Sequence, residues 1–328
     1  MLKIQDVTFL KNSKNLLAFS GGADSTSLFF LLLQNDIPFD IAIIDYALRA
    51  QSKEEVSYAQ ELALEHEKNC YVFTSESIEK NFEATARAVR YDFFEELIFE
   101  HGYNNLLTAH HLGDRLEWLL MQLSKGAGCA ELNSMKRITK REGYDIIRPL
   151  LHVEKSELIA YLEAKEKKWF EDETNQDMSI KRNEFRHLYA APLLKKYKDG
   201  ILKSFEYIDN DTDELIENTE VLQVQELYYF KRTKNLKSDI YHIDKTLKQL
   251  GVMISSHTRD ELKESDDTVV SRRYAVCRTD EYVFIAPYLL DVSMDKGFKE
   301  RCRVLKIPSK LRPYLFLNQK VFDTIVAL

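Results

Sequence analysis

The chain has 328 residues, 45% hydrophobic and 30% charged, with only 10 Gly and 6 Pro. This excludes a disordered or collagen-like chain and is enough for two or three domains with sizeable cores. The net charge of −7 counts against a nucleic-acid partner for the chain as a whole, and the four separated cysteines, with no Cys-x-x-Cys pair, count against a zinc or iron–sulfur centre and suit a reducing compartment. No apolar stretch is long enough to span a bilayer and the start does not read as a secretory leader, so a cytoplasmic protein with no membrane partner is expected.

In chain order, the first predicted element is a buried strand over 16–19. Ser20-Gly21-Gly22-Ala23-Asp24-Ser25 follows it at once and leads into an apolar-periodic helix over 25–34. Two glycines let backbone amides approach a ligand closely, and the helix start adds unpaired N–H groups and a positive dipole end. Ser20, Ser25 and Thr26 supply hydroxyls, and Asp24 is the candidate ligand for a magnesium ion. Ser20, Gly21, Gly22, Ala23, Asp24 and Ser25 are therefore the candidate ATP or pyrophosphate site. No Gly-Lys-[Ser/Thr] follows, so this is not a Walker A loop, and the glycine spacing is wrong for a dinucleotide fingerprint. The loop resembles the Ser-Gly-Gly-x-Asp-Ser loop of enzymes that cleave ATP to AMP and pyrophosphate; a plain Gly-Gly turn before a capped helix is the structural alternative.

Strands over 41–44, 71–73 and 106–109 follow, separated by helices at about 52–68, 83–100 and 115–124. The alternation predicts a doubly wound parallel sheet covered on both faces, with ligands gathered at the carboxyl ends of its strands. The loop 20–25, the segment after Asp45 and the pair His110-His111 all fall at such ends. Beyond about residue 150 the rhythm changes, with helices predicted over 152–165 and 183–197. A boundary near 203 divides a first domain, 1–203, from a second region, 204–328. More helix is predicted after the acidic block Glu206–Glu220, to about Glu264, then strands over 268–270, 273–278 and 282–285, the last two joined as a hairpin. This predicts a central helical part with a hairpin over about 204–290 and a small terminal part over 291–328, mainly helical and mixed α+β. Basic clusters lie at 181–203, 231–237 and 296–312; a solvated helix face is the commoner meaning of such runs.

Specific motifs accompany this pattern. They are Asp45-Tyr46-Ala47-Leu48-Arg49 with Ser52 and Glu55, and Glu83-Ala84-Thr85-Ala86-Arg87 followed by Arg90-Tyr91. Thr108-Ala109-His110-His111 comes with Asp114 and Glu117, then Gly126-x-Gly128. Glu171-Asp172-x-Thr174-Asn175-x-Asp177 precedes Arg182-Asn183-x-x-Arg186. Together these resemble the tRNA(Ile)-lysidine synthetase family over most of the first 200 residues, the last motif being the strongest discriminator. The resemblance implies that 1–203 is an adenine nucleotide alpha hydrolase-like PP-loop catalytic domain that takes ATP and magnesium and that 204–328 binds tRNA, with L-lysine and a CAU-anticodon tRNA(Ile) as partners. ATP would adenylate the 2-carbonyl oxygen of the wobble cytidine, and the lysine ε-amine would displace AMP to give lysidine, so that AUA is read as isoleucine. A monomer and a homodimer are both compatible with the sequence.

Under that resemblance Asp24, Asp114, Glu117 and Arg87 are the catalytic candidates. Asp114 and Glu117, three apart, would hold the lysine ammonium and accept its proton. Arg49, Arg90, His110, Arg182 and Arg186 are the candidate substrate or tRNA contacts. Structural readings stand beside these: a helix capping box for Asp114 and Glu117, a surface pair for Glu83 and Arg87, turn residues for the histidines. The chain departs from the family pattern at Tyr46-Ala47, Gly113, Arg115, Trp118 and Ile180, in place of His-Gly, Asp, Gln, Thr and Tyr. A tRNA thiolase, an amide-forming synthetase and a non-catalytic RNA-binding relative are the alternatives; the intact loop argues against the last.

Overall fold

The computed structural model describes residues 2–46, 50–75, 82–171 and 177–328. The chain divides into two compact units, Met1–Asp209 and Asn210–Leu328.

The first unit opens with a short helix, α1 (Val7–Lys11), then β1 (Asn15–Ala18), α2 (Ala23–Gln34), β2 (Phe39–Asp45), α3 (Ala50–Glu65), β3 (Cys70–Thr74), α4 (Phe82–His101) and β4 (Asn105–Leu107). There follow α5 (Leu112–Leu123), α6 (Cys129–Leu132), β5 (Ile138–Lys140), β6 (Asp145–Ile147), α7 (Lys155–Ala164) and α8 (Lys181–Glu184). A π-helical turn, Phe185–Ala190, leads into α9 (Ala191–Leu215), which is kinked at Tyr197 and runs on beyond residue 203. The sheet has the order β3-β2-β1-β4-β6-β5, parallel except for β5. Successive strand residues point to opposite faces, so Leu17 of β1 enters the core shared with α2 and α7, while Leu16 enters the core beneath α4. Both faces are covered, as the doubly wound expectation requires.

The strand order fixes where the switch point of the sheet lies. After β1 the chain builds β2 and β3 to one side, then crosses to β4 on the other. The loops leaving β1 and β4 therefore diverge at the topological switch point, where open α/β sheets bind ligands. Those loops are Ser20–Gly22 and Thr108–His111.

The second unit holds β7 (Leu222–Val224), β8 (Leu227–Lys231), α10 (Leu236–Gln249), α11 (Ser256–Glu264), β9 (Asp267–Val270), β10 (Tyr274–Arg278) and β11 (Tyr282–Pro287). It ends in α12 (Lys296–Val304), α13 (Arg312–Leu317) and α14 (Gln319–Val326). Its sheet is antiparallel throughout, in the order β7-β8-β11-β10-β9, and the β10–β11 hairpin forms as expected. Val283 and Ile285 pack on one face with Ile243 and Leu247 of α10; Phe284 and Ala286 pack on the other with Phe298 and Leu315. Residues 291–328 thus contribute α12 to α14 to the core of this same sheet. The expectation of continuous helix up to Glu264 is corrected here, because β7 and β8 lie inside that range. Among the described residues no helix is long and apolar enough to cross a membrane.

Candidate active site

Gly21 takes φ +73°, a left-handed conformation that glycine adopts without strain. A Cβ there would sit 3.3 Å from Cδ2 of Phe170 and 3.5 Å from Cβ of Glu55, so the position is closed in space as well. The Phe170 amide donates to the Gly21 carbonyl at 2.9 Å, which ties the loop to the segment after α7. Inside the loop, Ser25 Oγ donates to the Gly22 carbonyl (3.2 Å) and accepts from the Ser20 amide (3.2 Å), with Ser20 Oγ 3.1 Å away. Thr26 Oγ1 donates to the Gly21 carbonyl at 3.3 Å. The loop is held in shape by its own hydroxyls.

Helix α2 begins two residues earlier than expected, at Ala23, so Asp24 and Ser25 lie in its first turn. Its N-cap is Gly22, which has no side chain to satisfy the first-turn amides. Such amides, with the dipole behind them, make an anion site.

Asp24 faces outward from that turn. Its Oδ1 is buried with no hydrogen-bond partner, and its Oδ2 lies 3.9 Å from both His111 Nε2 and Lys155 Nζ. His111 is the N-cap of α5: Nδ1 accepts from the Gly113 amide at 3.0 Å, and the His111 amide donates to Asp114 Oδ2 at 2.9 Å. Since Nδ1 accepts, the proton of the neutral ring sits on Nε2, which faces Asp24 and, at 3.7 Å, Asp114. The expected capping box thus exists, displaced by one turn, with Asp114 as its closing acid. It also accounts for Gly113. The His111 ring occupies the space of a side chain there, and a Cβ would come within 2.7 Å of Cε1.

Asp114 in the first turn of α5 and Glu117 in the next are both buried, Glu117 being 1% exposed. Each is engaged by the arginines of the later motif. Arg182 donates to Asp114 Oδ1 at 2.7 Å and to Glu117 Oε2 at 3.1 Å. Arg186, in the π-helical turn, donates to Glu117 through Nε at 2.7 Å and Nη2 at 3.2 Å. Four residues from distant parts of the chain form one neutral cluster of two carboxylates and two guanidiniums. Burial opposes ionisation of Asp114, yet the nearby His111 and His110 rings, Arg182 and the His111 amide hold its carboxyl well below the usual range. Burial works against the Arg182 cation too, but Asp114 and Glu117 raise its pKa overall. His110, bonded to Thr108 Oγ1 at 2.9 Å, is pushed down to about 4 by burial, opposed by Asp114 and assisted by Arg148, Arg182 and Arg87.

The remaining candidates lie on other parts of the chain. Arg87 and Arg90 are exposed on α4 and lie over tyrosines: Arg87 over Tyr91 (4.8 Å to the ring centre), Arg90 over Tyr46, to whose hydroxyl its Nε donates at 3.1 Å. Arg49, and Asp172, Thr174 and Asn175 of the later motif, lie outside the described residues. Asp177 accepts from the Ser179 amide at 2.9 Å, the bonds to Ser179 lowering its pKa, and its carbonyl accepts from Asn183. Sequence reasoning passed over His111 as a neighbour of Asp24, Lys155, and the Phe170 amide. The one signal for Lys155 was its place just inside the Glu154-x-x-Glu157 capping box.

Residues 2–191 match the model of the PP-loop domain. A tRNA(Ile)-lysidine synthase of Helicobacter pylori (strain ATCC 700392 / 26695) is 46% identical over 321 residues, covering 96% of this chain and 94% of the relative. The tRNA(Ile)-lysidine synthase of Wolinella succinogenes is 43% identical and that of Campylobacter jejuni subsp. jejuni 38%, each alignment covering 97% or more of both chains. Among solved structures, the U34-tRNA thiolase NcsA from Methanococcus maripaludis aligns with a TM-score of 0.52 at 18% identity, over 64% of this chain and 76% of that one, a likeness of fold. With the similarity running through both units and not the loop domain alone, this chain belongs to the tRNA(Ile)-lysidine synthase family of PP-loop proteins.

Proposed function

We propose that the protein uses ATP to join L-lysine to C2 of the wobble cytidine in a CAU-anticodon tRNA(Ile), releasing AMP and pyrophosphate. In the first step the cytidine 2-carbonyl oxygen attacks the α-phosphorus and the bond to pyrophosphate breaks. In the second the lysine ε-amine attacks C2, the C2–O bond to AMP breaks and the amine loses a proton. The observation that carries the reading is the meeting, at one switch point, of an uncapped phosphate loop and a buried acid pair, joined through His111 between Asp24 and Asp114.

The loop Ser20–Ser25 holds the polyphosphate through first-turn amides and the two serine hydroxyls. Asp24 fits a magnesium ion: its buried Oδ1 lacks a partner, and magnesium is commonly held by one or two carboxylates together with substrate phosphates. Among the described residues there is no group of three His, Cys, Asp or Glu that would make an all-protein cage. When bound, the ion supplies neutralisation of charge on the departing pyrophosphate. Asp114 and Glu117 attract and orient the lysine ammonium by exchanging it for a guanidinium of Arg182 or Arg186. The Asp114 carboxyl, held low by the histidines and Arg182, keeps its charge at neutral pH and holds the cation, and the acid pair Asp114 and Glu117 takes up the proton that the amine loses. Arg87 and Arg90, exposed on one face of α4, meet the tRNA backbone or the α-phosphate. The second unit grips tRNA through the exposed basic residues of α12, Lys296, Lys299 and Arg303. With tRNA and ATP as substrates, the site of action is the cytoplasm.

The test is incorporation of labelled lysine into an unmodified CAU-anticodon tRNA(Ile), with ATP and magnesium, beside CAU methionine tRNAs. Selective ATP-dependent incorporation is expected. Formation of AMP without lysine transfer would mean that the acceptor or the amine is wrong, and neither product with folded protein would leave a binding protein.

A further inference from the structure

The segment Ser20–Ser25 carries an acid and no basic residue. Its donors to a polyphosphate are neutral amides and hydroxyls, and Asp24 adds a negative charge beside them. A Walker A loop solves the same electrostatic problem with a lysine of its own. Here the arginines nearest the acid pair, Arg182 and Arg186, are bonded to Asp114 and Glu117, while Arg87 and Arg90 of α4 lie over the rings of Tyr91 and Tyr46.

Lys155 supplies what the loop lacks. It is the first residue of α7, half-buried, with Nζ 3.9 Å from Asp24 Oδ2. That separation is an ion pair too long for a hydrogen bond, so the ammonium sits beside the loop with no hydrogen bond to Asp24. Two independent contacts fix the backbone that carries it. Ser27 Oγ of α2 donates to the Leu158 carbonyl at 3.2 Å, and the Leu112 amide of α5 donates to the Val153 carbonyl at 2.9 Å. The start of α7 is thereby held against both helices that begin at the switch point.

We infer that Lys155 is a ligand of the ATP polyphosphate, pairing with the β- and γ-phosphates and staying with the pyrophosphate as it leaves. The inference rests on the function proposed above and adds a residue to its first step. A lysine suits the task, because its compact charge turns on a flexible stem and can follow the moving phosphates. The structural alternative is a surface ion pair, which would contribute little to anything but local order.

The experiment compares Lys155→Met and Lys155→Arg with wild type, using Lys165→Met at the exposed far end of the same helix as control. Calorimetric binding of magnesium pyrophosphate needs no tRNA and reads the contact directly. Pyrophosphate release at varied ATP, with CAU tRNA and lysine, reads it in turnover. Lys155→Met should weaken pyrophosphate binding and lower kcat/KM for ATP by on the order of tenfold to a hundredfold. KM for lysine and the melting temperature should stay near wild type, and Lys155→Arg should recover most of the loss. Unchanged pyrophosphate binding and ATP dependence in Lys155→Met would overturn the inference, as would an equal loss toward both substrates with a lowered melting temperature. If wild type binds pyrophosphate but transfers no lysine, the proposed function fails while the Lys155 contact is still decided by the binding arm.

Discussion

At the scale of single residues, Glu117 is the group on which most depends, since its two oxygens accept from both Arg182 and Arg186. Glu117→Gln keeps the shape and removes the charge, leaving two guanidiniums short of a partner. The expected cost is about 1–3 kcal/mol in urea unfolding, the lower part of the range because Arg182 is 40% exposed. Lysine transfer should fall more steeply than pyrophosphate release, because the proposed ammonium site loses half its charge; equal losses in both would count against the assignment. His110 gives a pH dependence. Its folded value, about 4, lies below the ordinary 6.5, so the unfolded chain takes the proton first as pH falls. The stability held by the neutral ring is complete above about 6.5 and is lost as pH drops toward 4. Urea midpoints measured between pH 7 and 4 should decline, and His110→Gln should flatten that decline.

At the scale of elements, the parallel strands β1 to β4 were legible because each is a short apolar run bounded by a loop, and the phosphate loop because its six residues follow one of them directly. What escaped has a physical reason. In β8, Leu227 and Tyr229 enter one core while Tyr228 and Phe230 pack against the other, so no apolar–polar alternation marks the strand. β5 and β6 have three residues each, too few for any period to show. The pairing of Asp114 and Glu117 with Arg182 and Arg186 escaped for another reason: both motifs were visible, but only the fold brings residues 65 to 69 positions apart into contact. Phe230, 1% exposed in the core between the sheet and α10, should cost about 3–5 kcal/mol when replaced by Ala. A surface helix residue in the same place would cost a small fraction of that, so the unfolding midpoint of Phe230→Ala distinguishes the two.

At the scale of the whole molecule, an acidic chain binding an anionic partner requires its charge to be segregated. Helix α12 shows how: Phe298 and Cys302 face the core, and Lys296, Lys299, Arg303 and the following Lys306 are exposed. Lys299→Glu with Arg303→Glu should weaken tRNA binding and lower the slope of log affinity against log salt by about 1.5–2. Pyrophosphate binding in the absence of tRNA should be unaffected, which separates a lost grip on tRNA from damage to the loop.

The bond from the Phe170 amide to the Gly21 carbonyl gives this architecture a natural reporter. That amide exchanges its hydrogen with solvent only when the loop and the segment after α7 part company. Its exchange rate therefore counts openings of the phosphate loop, one residue before Glu171 and the motif that runs on to Arg182 and Arg186. Saturating pyrophosphate should slow it while amides at the far end of α3 keep their pace, so a single deuterium-labelled position would time the nucleotide site in the absence of any turnover.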